Sequence, residues 1–229
     1  ICSKRDQHDK AVELLKIALK YTDDYADVHN LIGMEYLFMD NFELAKESFI
    51  KCLEEDLEDQ SALYNVVYCF EFLDQNQEAI TFLNEYIEKN PYSEIAWHQV
   101  GRLHYGIKEY ENAIRAFDYA TLIDDEFLGA FMEKAKAFER LKKYKEAIES
   151  YERTIELDDA TSYALLRIGK CHEKLGNKVL ALKYFNQTVH EDPLLDKGWI
   201  AITDFYVRQK NFQKALFFVN KALAIDNQN

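Results

Sequence analysis

The residues that could carry out chemistry are scattered along this 229-residue chain and fall into none of the spacings that catalysis requires. The six histidines form no HExxH motif and no pair one helical turn apart, so we expect no metal site. No GxSxG motif, Walker-type glycine loop or GxGxxG fingerprint occurs. The cysteines (Cys2, Cys52, Cys69 and Cys171) contain no CxxC pair and are interpreted as small buried residues of a reducing compartment. We therefore expect no enzymatic activity and no cofactor.

Composition narrows the class of protein further. The chain has 28 Lys and Arg against 41 Asp and Glu, a formal net charge of −13, which argues against sequence-independent nucleic-acid binding. Only 7 Gly and 2 Pro are present, too few for folds built on tight turns. No apolar run approaches the roughly 18–20 residues that span a bilayer, and the first residues show no signal-peptide pattern. These features predict an all-helical protein in the cytoplasm, without a membrane partner.

The elements that position the side chains are set by an internal repeat. Alanine recurs every 34 residues, without insertion, at Ala11, Ala45, Ala79, Ala113, Ala147, Ala181 and Ala215. Four residues after each alanine stands a large apolar side chain: Leu15, Phe49, Leu83, Phe117, Tyr151, Phe185 and Val219. Each period contains two stretches of helical apolar spacing separated by a break, as at Lys108-Glu109. Small residues let the two helices approach closely, and the large residue one turn later fills the adjoining space.

The pattern Trp97, Val100-Gly101, Ala113, Phe117 and Ala120, at this period, resembles the tetratricopeptide repeat (TPR). The resemblance covers nearly the whole chain and implies an all-α, right-handed superhelix of helix-turn-helix repeats. We expect a single array: a partial repeat over 1–25, with its second helix at Asp9–Tyr21 after a helix tail at Ile1–Ser3, and full repeats over 26–59, 60–93, 94–127, 128–161, 162–195 and 196–229. Both ends look cut, and the last helix would expose Phe212, Leu216 and Val219. We expect the chain to be part of a longer protein.

In TPR proteins the first helix of each pair lines a concave groove that binds other proteins. The resemblance therefore implies a non-enzymatic scaffold whose partner is a protein or peptide. The predicted partner-binding residues lie on these first helices, at places that form one helical stripe: Tyr64, Tyr68, Arg102, Tyr105, Lys136, Arg140, Arg167 and Lys170.

Charge and aromatic character are segregated along this stripe. It is aromatic and apolar in the first two full repeats, while the last four carry eight basic and four acidic residues. We expect a ligand that bears acidic and apolar groups. Two other interpretations stay open: Glu133, Glu139 and Glu173 neutralise the bases, and the tyrosines pack between repeats.

Chaperone-binding members of the family clamp the terminal carboxylate of a peptide with Lys, Asn and Arg residues. In the best alignment of that clamp with this chain only Asn65 matches, so a chaperone-tail receptor is not expected. Two alternative functions remain: self-assembly through uncapped ends, which would make a homo-oligomer, and an interaction arm of a larger enzyme or regulator whose catalytic domain lies elsewhere.

Overall fold

The computed structural model of the chain describes residues 7–157 and 162–226. Over those residues it contains thirteen α-helices and no strand, which confirms the all-α prediction. The helices are α1 (His8–Ala18), α2 (Tyr25–Phe38), α3 (Phe42–Glu55), α4 (Gln60–Phe72), α5 (Asn76–Lys89), α6 (Glu94–Gly106), α7 (Tyr110–Ile123), α8 (Leu128–Arg140), α9 (Tyr144–Leu157), α10 (Ser162–Lys174), α11 (Lys178–Glu191), α12 (Asp196–Arg208) and α13 (Phe212–Asp226). The chain divides into two compact units, Ile1–Ile107 and Lys108–Asn229, which are called unit 1 and unit 2.

The two helices of each pair are joined by a turn with one residue in the left-handed region. Backbone φ is between 55° and 80° at residues spaced 34 apart: Asp40, Asp74, Lys108, Lys142, Gly176 and Lys210. The next backbone N–H donates at 2.9 Å to a carbonyl five residues earlier in the turns ending at Asn41, Gln75, Lys143, Asn177 and Asn211. This hydrogen bond closes the first helix and lets the chain reverse within three residues.

The repeated alanines and the residues that follow them form the core of each unit. The five interior alanines from Ala45 to Ala181 have no exposed surface, and Ala11 and Ala215 are buried. Phe49 and Leu83 in unit 1, and Phe117, Tyr151 and Phe185 in unit 2, are fully buried as well. A Cβ added to Gly33 would lie 2.6 Å from the Phe49 ring, and one added to Gly169 would lie 2.6 Å from the Phe185 ring. Glycine is therefore what allows these helix pairs to pack so closely.

The first helix of the chain is shorter than predicted. The sequence places it over Asp9–Tyr21, whereas α1 spans His8–Ala18 and Tyr21 already belongs to a tighter turn, its N–H donating to the Ala18 carbonyl at 2.9 Å. The expected helix tail at Ile1–Ser3 lies outside the described residues.

The cysteines behave as small buried residues wherever they are described. Cys52, Cys69 and Cys171 are buried and form no disulfide, as predicted, and Cys2 lies outside the described residues. Burial raises the pKa of Cys52 and Cys171 to about 12 and that of Cys69 to about 11. These thiols are therefore not activated as nucleophiles.

The last helix exposes apolar surface, as expected. Phe212, Leu216 and Val219 are 64%, 61% and 37% exposed.

Candidate functional site

The first helices of unit 1 carry an exposed aromatic surface. Tyr64 and Tyr68 lie on α4 and are 41% and 50% exposed. The Tyr68 ring lies 6.2 Å from the ring of Phe42, which stacks on Phe72 with centroids 3.6 Å apart. Tyr68 is thus supported from one side by packed rings and open on the other. The cluster can offer a flat apolar contact to a ligand.

Two members of this surface, Phe38 and Phe72, are more exposed than the predicted tyrosines. Their exposed fractions are 59% and 60%. The Phe38 ring stacks on the His8 ring with centroids 5.3 Å apart. In the sequence, these two phenylalanines can be found because they lie at the C-terminal ends of α2 and α4, on the same helical stripe as Tyr64 and Tyr68.

Arg102 and Tyr105 lie on α6, at the end of unit 1. The Arg102 guanidinium donates to Gln99 Oε1 at 2.7 Å and is 3.3 Å from Glu71 Oε1 on α4. Arg102 is therefore already ion-paired to the neighbouring first helix, while Tyr105 is half-buried. The pair fixes where the guanidinium lies and removes most of its free charge.

In unit 2 the first helices are α8, α10 and α12. On α8, Lys136 places its ammonium 5.7 Å from the centroid of the Tyr163 ring on α10, a cation–π geometry. Arg140, at the end of α8, is exposed. The structure therefore brings Lys136 to the side of α8 that faces α10.

Arg167 belongs to a hydrogen-bonded network with Glu139 and Tyr151. Its Nε donates to Glu139 Oε1 at 2.8 Å and its Nη2 donates to Glu139 Oε2, so the pair is bidentate. The fully buried Tyr151 hydroxyl donates to the same Oε1 at 2.7 Å. Burial alone would lower the pKa of Arg167, but the bonds to Glu139 raise it above its usual value. Burial, and then the Glu139 charge, raise the pKa of Tyr151.

Lys170 lies one turn further along α10, at an open cleft of about 420 Å³. Nothing in the described part of the chain pairs with its ammonium. Burial, and then the charge of Arg167, lower the pKa of Lys170. The cleft is lined in addition by Lys174, Lys197, Arg208, Glu173 and Asp204 among other residues of unit 2.

The interpretation that glutamates neutralise the bases holds for some of them. Arg167 is paired with Glu139 on α8, and Arg208 donates to both carboxylate oxygens of Glu173 on α10, at 3.0 and 2.9 Å. The pairing joins neighbouring first helices and does not run along one helix. Lys170 is left outside it.

Neither a metal-ligand cluster nor a membrane-spanning helix occurs among the described residues. They contain no group of three or more His, Cys, Asp or Glu side chains arranged to hold a metal ion. Among the helices of residues 7–157 and 162–226, none is both long and apolar enough to cross a bilayer.

Comparisons with known proteins agree with this architecture. Three tetratricopeptide repeat models match the chain. One matches residues 26–59, another matches residues 61–93, and the third matches twice, over the overlapping ranges 98–160 and 132–195. Together these segments cover well over half of the chain. No curated protein sequence matches it.

Several solved structures are similar in fold. The MamA protein is 22% identical, covers 77% of this chain and 96% of its own, and superposes with a TM-score of 0.65. YrrB, described as a TPR protein with an unusual peptide-binding site, is 23% identical, covers 79% of this chain and 93% of its own, with a TM-score of 0.64. The C-terminal part of a TPR repeat-containing protein from Cytophaga hutchinsonii is 15% identical, covers all of this chain and 94% of its own, with a TM-score of 0.77. At these identities the likeness shows the fold alone.

Proposed function

We propose that this chain, which belongs to the tetratricopeptide repeat family, binds a peptide or an extended segment of a partner protein along the first helices of its pairs. The family and the fold support a protein-interaction scaffold. The observation that carries the finer proposal is that aromatic rings and lysines without an ion-pair partner are exposed on first helices. Exposed apolar patches of this kind are typical of surfaces that bind other proteins.

Unit 1 would supply apolar contacts. Large rings lose little conformational freedom on binding, and such residues dominate the energetics of protein interfaces. Tyr64 and Tyr68 are the predicted contacts, with Phe38 and Phe72 beside them. We expect apolar side chains of the ligand here.

Unit 2 would supply charge. Lys136, Arg140 and Lys170 lie on first helices, whereas Arg167 is held by Glu139 and acts mainly by shaping the surface. In unit 1, Arg102 is held in the same way by Glu71. We expect acidic side chains of the ligand over unit 2, because complementary charge gives specificity and speeds association.

The test is capture of partners from source lysate at low and moderate salt, followed by mass spectrometry. One variant combines Tyr64→Ala and Tyr68→Ala, and the other combines Arg140→Gln and Lys170→Gln. Matched controls remove the same groups elsewhere: Tyr92→Ala, which is 79% exposed outside the helices, and the pair Lys143→Gln and Lys145→Gln near α9.

The proposal predicts that the same partner is lost in either site variant and retained in both controls. The loss caused by Arg140→Gln and Lys170→Gln should be largest at low salt and shrink as salt rises, because salt screens the charges that the unmodified chain uses. A partner that is captured equally by all four variants would place binding outside the first helices.

Self-association is a second candidate function, favoured by the exposed apolar face of α13. Phe212, Leu216 and Phe217 are at least 60% exposed. Sedimentation over a hundredfold concentration range tests it, with Leu216→Glu as the variant. A mass equal to one chain throughout that range would reject it.

A further inference from the structure

The five basic residues that line the cleft of unit 2 divide into two classes. Arg167 and Arg208 are each held by a carboxylate of the preceding first helix, Glu139 and Glu173. Because their charges are already balanced, these two arginines shape the surface of the cleft and contribute little attraction to an anionic ligand.

Three lysines form the other class. Lys170 and Lys174 on α10 and Lys197 on α12 line the same cleft, and in the described residues none of them makes an ion pair or hydrogen bond. The remaining acid in the lining is Asp204. Five bases against three acids leave a formal charge of +2 in the cleft.

Neighbouring cations lie close enough to Lys170 to affect its pKa. Burial has the largest effect on the pKa of Lys170 and lowers it, the charges of Arg167 and Lys197 lower it as well, and the charges of Glu139 and Asp204 act in the opposite direction. An anion that entered the cleft would relieve this repulsion.

Helix geometry sets the spacing of the charges that fit. Lys170 and Lys174 are four residues apart on one helix, so their Cβ atoms are about 6 Å apart. In an extended peptide, side chains at alternate positions point to the same side and are about 7 Å apart. Two carboxylates separated by one residue therefore match the spacing of the two lysines.

Apolar groups flank the charges. Ile200 on α12 lines the cleft and is 56% exposed, and Ala201 and Phe185 contribute buried apolar surface behind it. An aliphatic residue beside the carboxylates would cover Ile200.

We propose that this cleft recognises two carboxylates at alternate positions of an extended peptide, next to an aliphatic residue, through Lys170, Lys174 and Lys197. The inference rests on the peptide-binding function proposed above and names the ligand chemistry that unit 2 selects. Both carboxylates come from side chains, so the peptide needs no free C-terminus.

The experiment titrates the full chain into a fluorescein-labelled peptide, Gly-Leu-Glu-Ala-Glu-Leu-Gly with an amidated C-terminus, and follows anisotropy. Companion peptides replace both Glu by Gln, or place the two Glu side by side. Lys170→Gln and Lys197→Gln are the test variants, and Lys145→Gln, exposed on α9, is the matched control. Thermal melts show that each variant is folded.

We expect the Gln peptide to bind at least about tenfold more weakly, and each test variant to lose about fivefold, because charge-assisted hydrogen bonds are lost. Lys145→Gln should bind like the unmodified chain, and the side-by-side peptide should bind more weakly than the alternate one. Equal binding of the Glu and Gln peptides, or equal effects of Lys170→Gln and Lys145→Gln, would overturn the inference. Full competition by millimolar inorganic phosphate would also overturn it, since it would indicate a general anion site.

Failure here is distinguishable from failure of the proposed function. If the peptide does not bind but lysate partners are still lost in the Tyr64→Ala, Tyr68→Ala variant, the scaffold function stands and the ligand class is wrong. If the peptide does not bind and the Tyr64→Ala, Tyr68→Ala variant captures the same lysate partners as the unmodified chain, both proposals fail.

Discussion

Replacing Glu139 by Gln should move stability and ligand affinity in opposite directions. Glu139 accepts two hydrogen bonds from Arg167 and one from the buried hydroxyl of Tyr151. The Glu139 and Arg167 side chains are only 13% and 28% exposed, so solvent screens the pair incompletely. The amide keeps one acceptor oxygen but has no charge, and it leaves the guanidinium of Arg167 without its counter-ion.

The expected magnitudes follow from these contacts. A hydrogen bond to a charged partner contributes about 1.5–3 kcal/mol, and Gln preserves part of the set, so we expect a loss of about 2 kcal/mol in the free energy of unfolding. For a chain of this size that is a fall of about 4–8 °C in Tm. The freed guanidinium adds one positive charge beside the cleft. At about 8 Å in a partly exposed site this is worth about 1 kcal/mol to an anionic ligand, or about fivefold in affinity.

The assay is a thermal melt by circular dichroism together with titration of the labelled Glu peptide at two salt concentrations. Glu173→Gln is the matched control, since Glu173 pairs with Arg208, whose side chain is 55% exposed. It should change Tm by about 2 °C or less, because exposed ion pairs contribute little. If affinity falls together with Tm in Glu139→Gln, the ion pair itself forms part of the ligand site, and the division of the bases into balanced and open classes is refuted.

Three substitutions and one labelling experiment test the packing, the turns and the thiols. Gly169→Ala should destabilise by about 1–2 kcal/mol in a melt, because its Cβ would lie 2.6 Å from the Phe185 ring and the gain in helix propensity offsets only about 1 kcal/mol; an unchanged Tm would mean that the ring moves aside freely. Gly106→Ala, with nothing within 4 Å of the added Cβ, should be neutral or stabilising in the same melt, and a loss would contradict the packing argument. Gly176→Ala should cost about 1 kcal/mol because its φ is +80°, whereas an unaltered Tm would show that the turn can rearrange. Cys171, whose pKa is raised to about 12, should react with a thiol reagent only after denaturation at pH 8, and fast labelling of the native chain would disprove its burial.

The fold was predictable because one spacing recurs through the chain. The alanine every 34 residues and the large side chain four residues later identified the buried contacts of each helix pair, and Ala147 with Tyr151 shows the rule at full burial. The left-handed turn residues were harder to predict. Gly176 has the residue type that such a backbone favours, but the equivalent places hold Asp or Lys, as at Asp40 and Lys142, and residue type alone does not reveal them.

The sequence predicted where the candidate site residues lie, but not which of them form ion pairs. The sequence indicated which residues lie on the first helices, and the structure places all eight predicted side chains there. Whether they bind a partner stays a prediction. The count of eight bases and four acids along the stripe could not show which bases are paired, because the carboxylate that holds Arg167 is 28 residues away, on another helix.

A simple rule accounts for which bases remain open. The ion pairs between neighbouring first helices are Arg102–Glu71, Arg167–Glu139 and Arg208–Glu173. In each of them the acid is the twelfth residue of its 34-residue repeat, so it always reaches the same side of the next first helix.

Helices α4, α8 and α10 thus each offer one carboxylate at that place to the next first helix, whereas the equivalent residues of α2, α6 and α12 are Leu37, Tyr105 and Val207. Helix α10 presents three bases, Arg167, Lys170 and Lys174, to the single carboxylate of Glu139 on α8. The bidentate geometry of arginine gives it the advantage in that competition, since a guanidinium matches both oxygens and an ammonium does not. Two lysines are left over on α10, and Lys197 is left over on α12 in the same way, because Glu173 is held by Arg208. The open charge of unit 2 therefore arises because α10 and α12 each carry more bases in the cleft than the preceding first helix has carboxylates there, and a ligand with two carboxylates supplies what the neighbouring helices lack.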